Sequence, residues 1–477
     1  MLEKRKLAIN SVSMLTNRLV QSISTFVLTA SIARLLGAYE LGQYLLAFSY
    51  YFTFVTLASQ GLKTLFTREL ARHPEKTPIY LVSGSFLQLL MSLTAYIFLV
   101  FLILLLPYSA ATSNICIIMG LAIVPFALSN ITESIFQGQE KMHLIAFSTV
   151  PVYILRLLIM LKLIHSNYGI NYLAFVFVAS ETLILIAEWI LVVQFVKPQW
   201  KIEKKFIWGT LQAAKALLAI DGIAVISSRL EIFLLSLLSS EILVGLYGGI
   251  NQLIQPFLIV ANSFAISMFP AMSRAVEKGK EEQREVTETF IRSLMLIALP
   301  FLIGILFTGH NLIVFVYGSD FAEAGLPFKL VAFSLLLMPF NRALSHVLVA
   351  NGLERVNLRE VITTTSIVGL IGVFLIPHFQ LIGAAMMDFG ATFIAFNQYM
   401  YATYNRLFTL RLWHIFMPSV LVSLVMIPVF LSLNRFSPSF LTTLEVSTAI
   451  YLLLIGLLSI HAIGGPRKAY SKILNRK

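Results

Sequence analysis

The sequence predicts an all-α polytopic membrane protein with about fourteen transmembrane helices. Three observations lead there. Of 477 residues, 58% are hydrophobic and 12% charged, about half the charge of an ordinary soluble domain. Apolar residues run in blocks of bilayer length, as from Phe86 to Leu106 and from Val420 to Leu433; a helix needs about 20 mostly apolar residues to cross the hydrocarbon. The basic residues also segregate by side once the spans are drawn.

Hydrophobic blocks place the spans near 10–33, 41–62, 79–106, 115–137, 144–165, 170–196, 207–237, 242–267, 290–317, 327–349, 359–377, 381–404, 412–433 and 440–463. The mean hydropathy of +0.85 agrees. With the N-terminus inside, 26 of the 35 Lys and Arg fall in cytoplasmic segments, among them Lys63, Lys141, Lys201, Lys280, Arg355, Arg411 and Lys468. Only Arg34, Lys162, Lys329 and Arg435 fall outside. That asymmetry is the positive-inside rule, and one missed helix would invert it downstream. It explains the net charge of +12 without nucleic acid as a partner. It predicts a multi-pass protein of the cell (inner or plasma) membrane with both termini cytoplasmic.

No large soluble domain is expected. The longest polar stretch, Ser273 to Thr289, reads as a cytoplasmic connector, either helical or, the favoured reading, a solvated charged loop. The basic start at Lys4, Arg5 and Lys6 leads into a full-length span without a small-residue cleavage site, so the first helix is expected to be retained. Cys116 is the single cysteine and reads as a small packing residue. Asn130-Ile131-Thr132 matches a glycosylation sequon but lies within a span. Pro125, Pro151, Pro256, Pro300 and Pro339 predict kinks. Most aromatic side chains are expected toward lipid or the interfaces.

The two halves resemble each other. Leu41-Gly42-Gln43-Tyr44 follows the first span and Val244-Gly245-Leu246-Tyr247 the seventh, an offset of 203 residues. Gln137-Gly138-Gln139-Glu140-Lys141 follows the fourth and Asn351-Gly352-Leu353-Glu354-Arg355 the tenth, an offset of 214. Both relate helix n to helix n+6, with the drift absorbed by the long connector. Six is even, so the repeats run parallel about an axis along the membrane normal, a transporter architecture. This divides the chain into an N-lobe of helices 1–6 (1–200), a C-lobe of helices 7–12 (201–405), and helices 13–14 with a basic tail (406–477), the lobes facing a central cleft.

Ala33-Arg34-Leu35-Leu36-Gly37-Ala38-Tyr39-Glu40-Leu41-Gly42-Gln43-Tyr44, then Gly61-Leu62 and Thr67-Arg68-Glu69-Leu70-Ala71-Arg72, resembles the N-terminal signature of the polysaccharide, O-antigen-type (Wzx) flippases. These belong to the multidrug/oligosaccharidyl-lipid/polysaccharide (MOP) exporter superfamily. Phe269-Pro270-Ala271-Met272-Ser273-Arg274 and Tyr317-Gly318-Ser319-Asp320-Phe321 resemble later family segments. The resemblance implies a flippase that moves a polyprenyl-pyrophosphate-linked oligosaccharide outward by alternating access, with helices 1 and 7 bordering the cleft. It implies other polysaccharide-assembly proteins as partners and H+ or Na+ as coupling ion. It implies no cofactor.

Charges inside the membrane carry the chemistry. One at mid-bilayer costs at least ~2.5 kcal/mol, so it faces a wet cavity or a partner. Lys215 and Arg229 share one face of helix 7, with Gly222 between them; Arg18 lies in helix 1, Arg156 in helix 5 and Arg342 in helix 10. These five are the candidate substrate-binding cations, since an anionic pyrophosphate needs cations along its route and Arg binds phosphate bidentately. Snorkelling is the plainer reading for Arg18 and Lys215. Asp221, Glu181, Glu188 and Asp388 are the candidate ion-coupling acids; the competing reading is that they neutralise the arginines. Glu133 and Glu445, near span ends, get no role.

Rival functions lack their motifs. Gly279-Lys280 is followed by Glu281, so no phosphate loop ending in Gly-Lys-Ser/Thr exists there. The only aspartates are Asp221, Asp320 and Asp388, too scattered for the paired acids of a metal-dependent glycosyltransferase. No His-Glu-x-x-His metal site or large external loop appears, and no enzyme is expected. The alternatives within the superfamily are a peptidoglycan-precursor (lipid II) flippase and a multidrug antiporter; a membrane glycan-processing enzyme ranks below them. An antiporter of amphipathic cations would want an acidic cavity, whereas the intramembrane acids here do not outnumber the bases.

Overall fold

The computed structural model describes residues 2–436 and 440–462; the basic tail residues 467–477 lie outside them. Among the described residues the chain is helical, without strands. In order the helices are α1 (Leu2–Leu35), α2 (Ala38–Arg72), α3 (Pro74–Leu105), α4 (Ala110–Gly138), α5 (Met142–His165), α6 (Ile170–Val193) and α7 (Lys204–Leu238). They continue with α8 (Glu241–Lys278), α9 (Lys280–Tyr317), α10 (Ser319–Ala332 and Ser334–Ala350), α11 (354–379), α12 (381–406), α13 (Leu412–Phe436) and α14 (Phe440–Ala462). The predicted spans map one to one onto these fourteen.

Among the described residues nine helices are long and apolar enough to cross a membrane, and the bent α10 makes ten. One of the nine, Glu354–Arg406, has 53 residues, about 80 Å at 1.5 Å per residue. That is more than twice a hydrocarbon core of about 30 Å. Gln380 breaks it, with φ 49 and ψ −122, separating α11 from α12 where the hydropathy pattern does. The tenfold count leaves out α1 and α7, which carry charges along their length, and α14. The chain is a multi-pass, all-α membrane protein.

Local sequence explains the irregularities. α4 is interrupted at Leu121 and Ala122; Pro125 has no N–H for the Leu121 carbonyl and its ring crowds it. α10 bends by 40° at Phe333, two residues before Leu335, whose carbonyl loses its donor to Pro339. α2 contains a π turn at Thr56–Gln60 and α3 another at Tyr80–Gly84. Such turns loosen the backbone ladder, and within a membrane a freed carbonyl needs a new donor. Gln88 of α3 supplies one, its Nε2 donating to the Ala58 carbonyl at 2.9 Å.

The stretch 273–289 is not a loop. α8 runs through Lys278 and α9 starts at Lys280, with Gly279 alone between them at φ +103, a region costly for side-chain-bearing residues. Some of its charges are paired. Glu281 bonds Arg284 and, at 2.7 Å, Arg411; Glu288 accepts from the Arg411 backbone N–H, also at 2.7 Å.

By packing, the chain forms two compact units. One comprises Met1–Gly249 with Gly372–Gln380, the other Ile250–Ile371 with Leu381–Lys477. In the first, α1 lies along α5, α2 packs on α4, and α7 packs on α2. The contact of α7 with α2 is close: a Cβ on Gly61 would lie 2.7 Å from the Leu218 nitrogen, and one on Gly222 2.8 Å from Leu57. The core of this unit includes Leu62, Phe66, Leu81, Ile135 and Phe136. In the second unit α9 is central, packed against α10 and α13, with Ile303, Val422, Met426 and Phe430 between α9 and α13. Some aromatic side chains lie in the core. Phe66, Phe136, Phe290, Phe321, Phe328 and Phe340 are fully buried, because their area stabilises helix packing wherever small neighbours leave room.

Candidate functional site: charged residues within the membrane

In the first unit the polar groups of α1 recur at helical spacing. Ser11, Arg18, Ser22, Thr25 and Thr29 fall on one face, at intervals of seven, four, three and four residues. Arg18 is exposed on that stripe and makes no ion pair among the described residues. The stripe runs from exposed Ser11 and Arg18 through half-buried Ser22 and Thr25 to buried Thr29, and a guanidinium on it suits a water-lined cavity better than lipid.

On α7, Lys215 is exposed and unpaired among the described residues, whereas Arg229 is partly buried. The Arg229 guanidinium lies 5.0 Å from the centre of the Phe52 ring on α2, and its Nε has no hydrogen-bond partner. A cation over an aromatic face is held without losing its N–H donors. Asp221, one turn before Val225 on the same helix, is half-buried and has no bonded partner among the described residues. Glu231 interacts with another group.

Arg156 is placed differently. Its guanidinium donates to Glu181 at 2.9 Å and to Ser180 at 3.3 Å. It also lies over the rings of Tyr153, at 4.9 Å, and Phe177, at 5.0 Å. The side chains are 11% and 5% exposed, so the pair closes the α5–α6 contact and each charge is compensated by the other. Seven residues on, Glu188 is fully buried and bonds the hydroxyls of Thr132 on α4 and Ser148 on α5. Beside it Lys63 of α2 pairs with Glu133 of α4. Glu133 has no role in the reading from sequence. Its partner is 70 residues away, and nothing local indicates that the two helices meet.

The second unit holds Arg342 and Asp388. Asp388 accepts from Ser334 of α10 at 2.6 Å. Arg342 is partly buried on α10 without an ion pair among the described residues. A further acid, Glu360 of α11, escaped the sequence reading. It is 6% exposed and accepts from Tyr399 at 2.9 Å and Thr364 at 3.0 Å. The signal available was the four-residue spacing of Glu360 and Thr364, which puts both on one helix face.

Several of the cations thus keep unused donors, while Glu181, Glu188, Asp388 and Glu360 are bound within the protein. No group of three or more His, Cys, Asp or Glu that could hold a metal occurs among the described residues.

Comparison with known proteins gives this arrangement its context. No curated protein matches the chain. Solved structures do. A lipid II flippase, MurJ, in an inward closed conformation, is similar with a TM-score of 0.76 at 17% identity, covering 96% of this chain and 100% of that one. An inward-facing multidrug resistance MATE family transporter of the MOP superfamily has a TM-score of 0.67 at 13% identity, covering 81% and 94%. A MOP superfamily transporter from Pyrococcus furiosus, described as having a binding pocket of reversed polarity, has 0.59 at 14%, covering 84% and 95%. At such identities the likeness is one of fold. A family model described as polysaccharide biosynthesis protein matches residues 7–276. That is more than half of the chain, and it spans α1 through most of α8: the protein belongs to the polysaccharide biosynthesis protein family and has the fold of the MOP superfamily transporters.

Proposed function

We propose that the protein is a flippase of the cell membrane that moves a polyprenyl-pyrophosphate-linked oligosaccharide from the cytoplasmic to the outer leaflet by alternating access. The observation that carries this reading is the family match over residues 7–276 in a chain with the fold of a lipid II flippase. The wider fold family includes drug transporters. The unpaired cations favour an anionic cargo over a cationic drug.

On this reading the residues take the following roles. Arg18, Lys215, Arg229 and Arg342 offer N–H donors to pyrophosphate or acidic sugars along the route. Arg156, bonded to Glu181, holds α5 against α6 and supports the site without touching cargo. Of the four candidate coupling acids, Asp221 ranks first, because Glu181, Glu188 and Asp388 already accept hydrogen bonds inside the protein. The lobe division at about residue 200, the cytoplasmic termini and the participation of other assembly proteins belong to the same proposal.

The test is reconstitution. Purified protein in vesicles should flip a fluorescent polyprenyl-pyrophosphate glycan without ATP, and faster under an H+ or Na+ gradient. Strict ATP dependence, or movement of cationic drugs but not of the glycan lipid, would refute it.

A further inference from the structure

An open groove of about 610 Å³ runs along the side of the first unit, between α3, α4 and α6, and is closed at one end by the α6–α7 link. Phe86 and Leu89 of α3, Leu128 of α4, Ile186 and Trp189 of α6, and Trp200 of the link line it. Its polar lining side chain, Ser85, donates its hydroxyl inward to the Leu81 carbonyl. Apart from the indole N–H groups of Trp189 and Trp200, the other lining side chains are apolar, and hydrocarbon is the filling that costs least.

The closed end is built, not draped. The Ser83 hydroxyl, in the π turn of α3, donates to the Lys201 carbonyl at 3.2 Å and accepts from the Glu203 N–H at 3.1 Å. This pins Trp200 and Ile202 as a wall. Trp200 is 81% exposed, and an exposed indole at the end of a span marks the headgroup level. The link and the start of α7 also carry Lys197, Lys201, Lys204 and Lys205 against one acid, Glu203. All four lysines are exposed and none is ion-paired among the described residues. The groove is thus closed by a segment that carries four exposed lysines without ion pairs among the described residues.

We propose that this groove binds an anionic phospholipid, its acyl chain between α3, α4 and α6 and its phosphate among the four lysines. A transmembrane helix of a partner fits worse. At about 10 Å across, it is wider than a single acyl chain, and its apolar face would leave the lysines uncompensated. A zwitterionic lipid would leave the lysine cluster uncompensated. The site lies outside the proposed cargo route, and its occupancy is measurable without any transport.

The protein's four tryptophans make the test direct. With Trp208→Phe and Trp413→Phe, fluorescence reports from Trp189 and Trp200 alone. The full chain is placed in phosphatidylcholine vesicles with a minor fraction of lipid brominated on its acyl chains, either phosphatidylglycerol or phosphatidylcholine. Brominated phosphatidylglycerol should quench several-fold more than brominated phosphatidylcholine at equal mole fraction. The excess should shrink as salt screens the lysines. It should vanish when all four lysines become Gln, and when Leu89→Phe with Leu128→Phe fills the groove. Equal quenching by the two lipids would overturn the proposal, as would an excess that survives lysine neutralisation. Preferential displacement of phosphatidylglycerol by a polyprenyl phosphate would also overturn it, making the groove a cargo site. Failure of glycan flipping with this quenching pattern intact would remove only the functional reading.

Discussion

Gly42 and Gly245 pack backbone against backbone. A Cβ on Gly42 would lie 1.7 Å from the carbonyl oxygen of Glu241, and one on Gly245 would lie 2.1 Å from that of Ala38. The contact is reciprocal: each glycine meets the carbonyl four residues before the other. The offset of 203 residues relates both the glycines and their carbonyl partners, so the matching motifs that suggested an internal repeat are also the residues that touch. Close crossing of membrane helices depends on such small residues. Around it Thr112 donates to Glu241 at 2.8 Å and Gln43 donates to Thr112 at 2.9 Å, which ties α2, α4 and the start of α8 together.

Gly42→Ala and Gly245→Ala should therefore each reduce folded protein. Overpacking typically costs about 1–3 kcal/mol, and here the obstacle is a rigid backbone. A loss of about that size can change abundance several-fold. Gly209→Ala is the control, since nothing lies within 4 Å of its added Cβ and Ala favours a helix. Monodisperse yield after detergent extraction measures all three. Normal yield from both crossing variants would mean that the helices can separate freely here.

The Arg156–Glu181 pair gives a second prediction. Glu181→Gln leaves a buried guanidinium without its counter-charge, and breaking such a pair costs about 3–5 kcal/mol. Arg156→Met alone should be similarly harmful. The two changes together should cost less than either one, because neither leaves a lone buried charge. Thermal unfolding of the purified variants reads this as a partial recovery of Tm. Simple addition of the two losses would show that the charges do not compensate each other.

How much of this was readable beforehand differs by feature. Span positions were legible because burial in hydrocarbon dictates composition, and even the break near Gln380 shows as a dip between apolar blocks. α1 and α7 were legible through charge alternation, not apolarity, since Arg18, Lys215 and Arg229 dilute them. The π turns were not legible. Thr56–Gln60 reads as ordinary helix, and its altered bonding depends on Gln88 and on α7 packing at Gly61. Partner choice was equally hidden. The pairing of an arginine with some acid was anticipated, but that Arg156 meets Glu181 depends on the register of α5 against α6. Glu360 stands at a span end, where an acid is inexpensive, so composition does not single it out.

Topology can be checked directly. In a background lacking Cys116, cysteines at Ser113 and Ser166 should react with an impermeant maleimide from outside. Those at Lys201 and Lys280 should react only after the inner face is opened. Ser166, Lys201 and Lys280 are exposed, so a lack of reaction there reports sidedness, not burial. Outside labelling at 201 or 280 would overturn the orientation proposed from the basic residues.

Asp221→Asn tests coupling. The substitution keeps shape and removes a titratable charge that has no bonded partner among the described residues. Glycan flipping in the absence of a gradient should persist, while its stimulation by an H+ or Na+ gradient should be lost. Glu188→Gln should act differently and lower stability, because Glu188 bonds Thr132 and Ser148 across three helices. Full stimulation in Asp221→Asn would remove this residue from the coupling role.

The cationic route rests on Arg18 and Arg229. Both retain N–H donors, in contrast to Arg156. Replacing either with Ala removes a cation that the pyrophosphate is proposed to meet, and a hydrogen bond to a charged group is worth about 1.5–3 kcal/mol. Lost in the transition state, that is roughly a tenfold or greater fall in rate. Membrane insertion should stay normal, since an intramembrane charge opposes insertion. Lys at either position should rescue only partly. It keeps the charge but loses the planar fork, and at position 229 it also loses the flat stacking on Phe52. A structural role predicts the opposite pattern, with Ala reducing protein level and Lys restoring function fully. Surface glycan in a complementation assay, read beside an immunoblot of membrane fractions, separates the two. Full export by both Ala variants and by their combination would eliminate Arg18 and Arg229 from the cargo path.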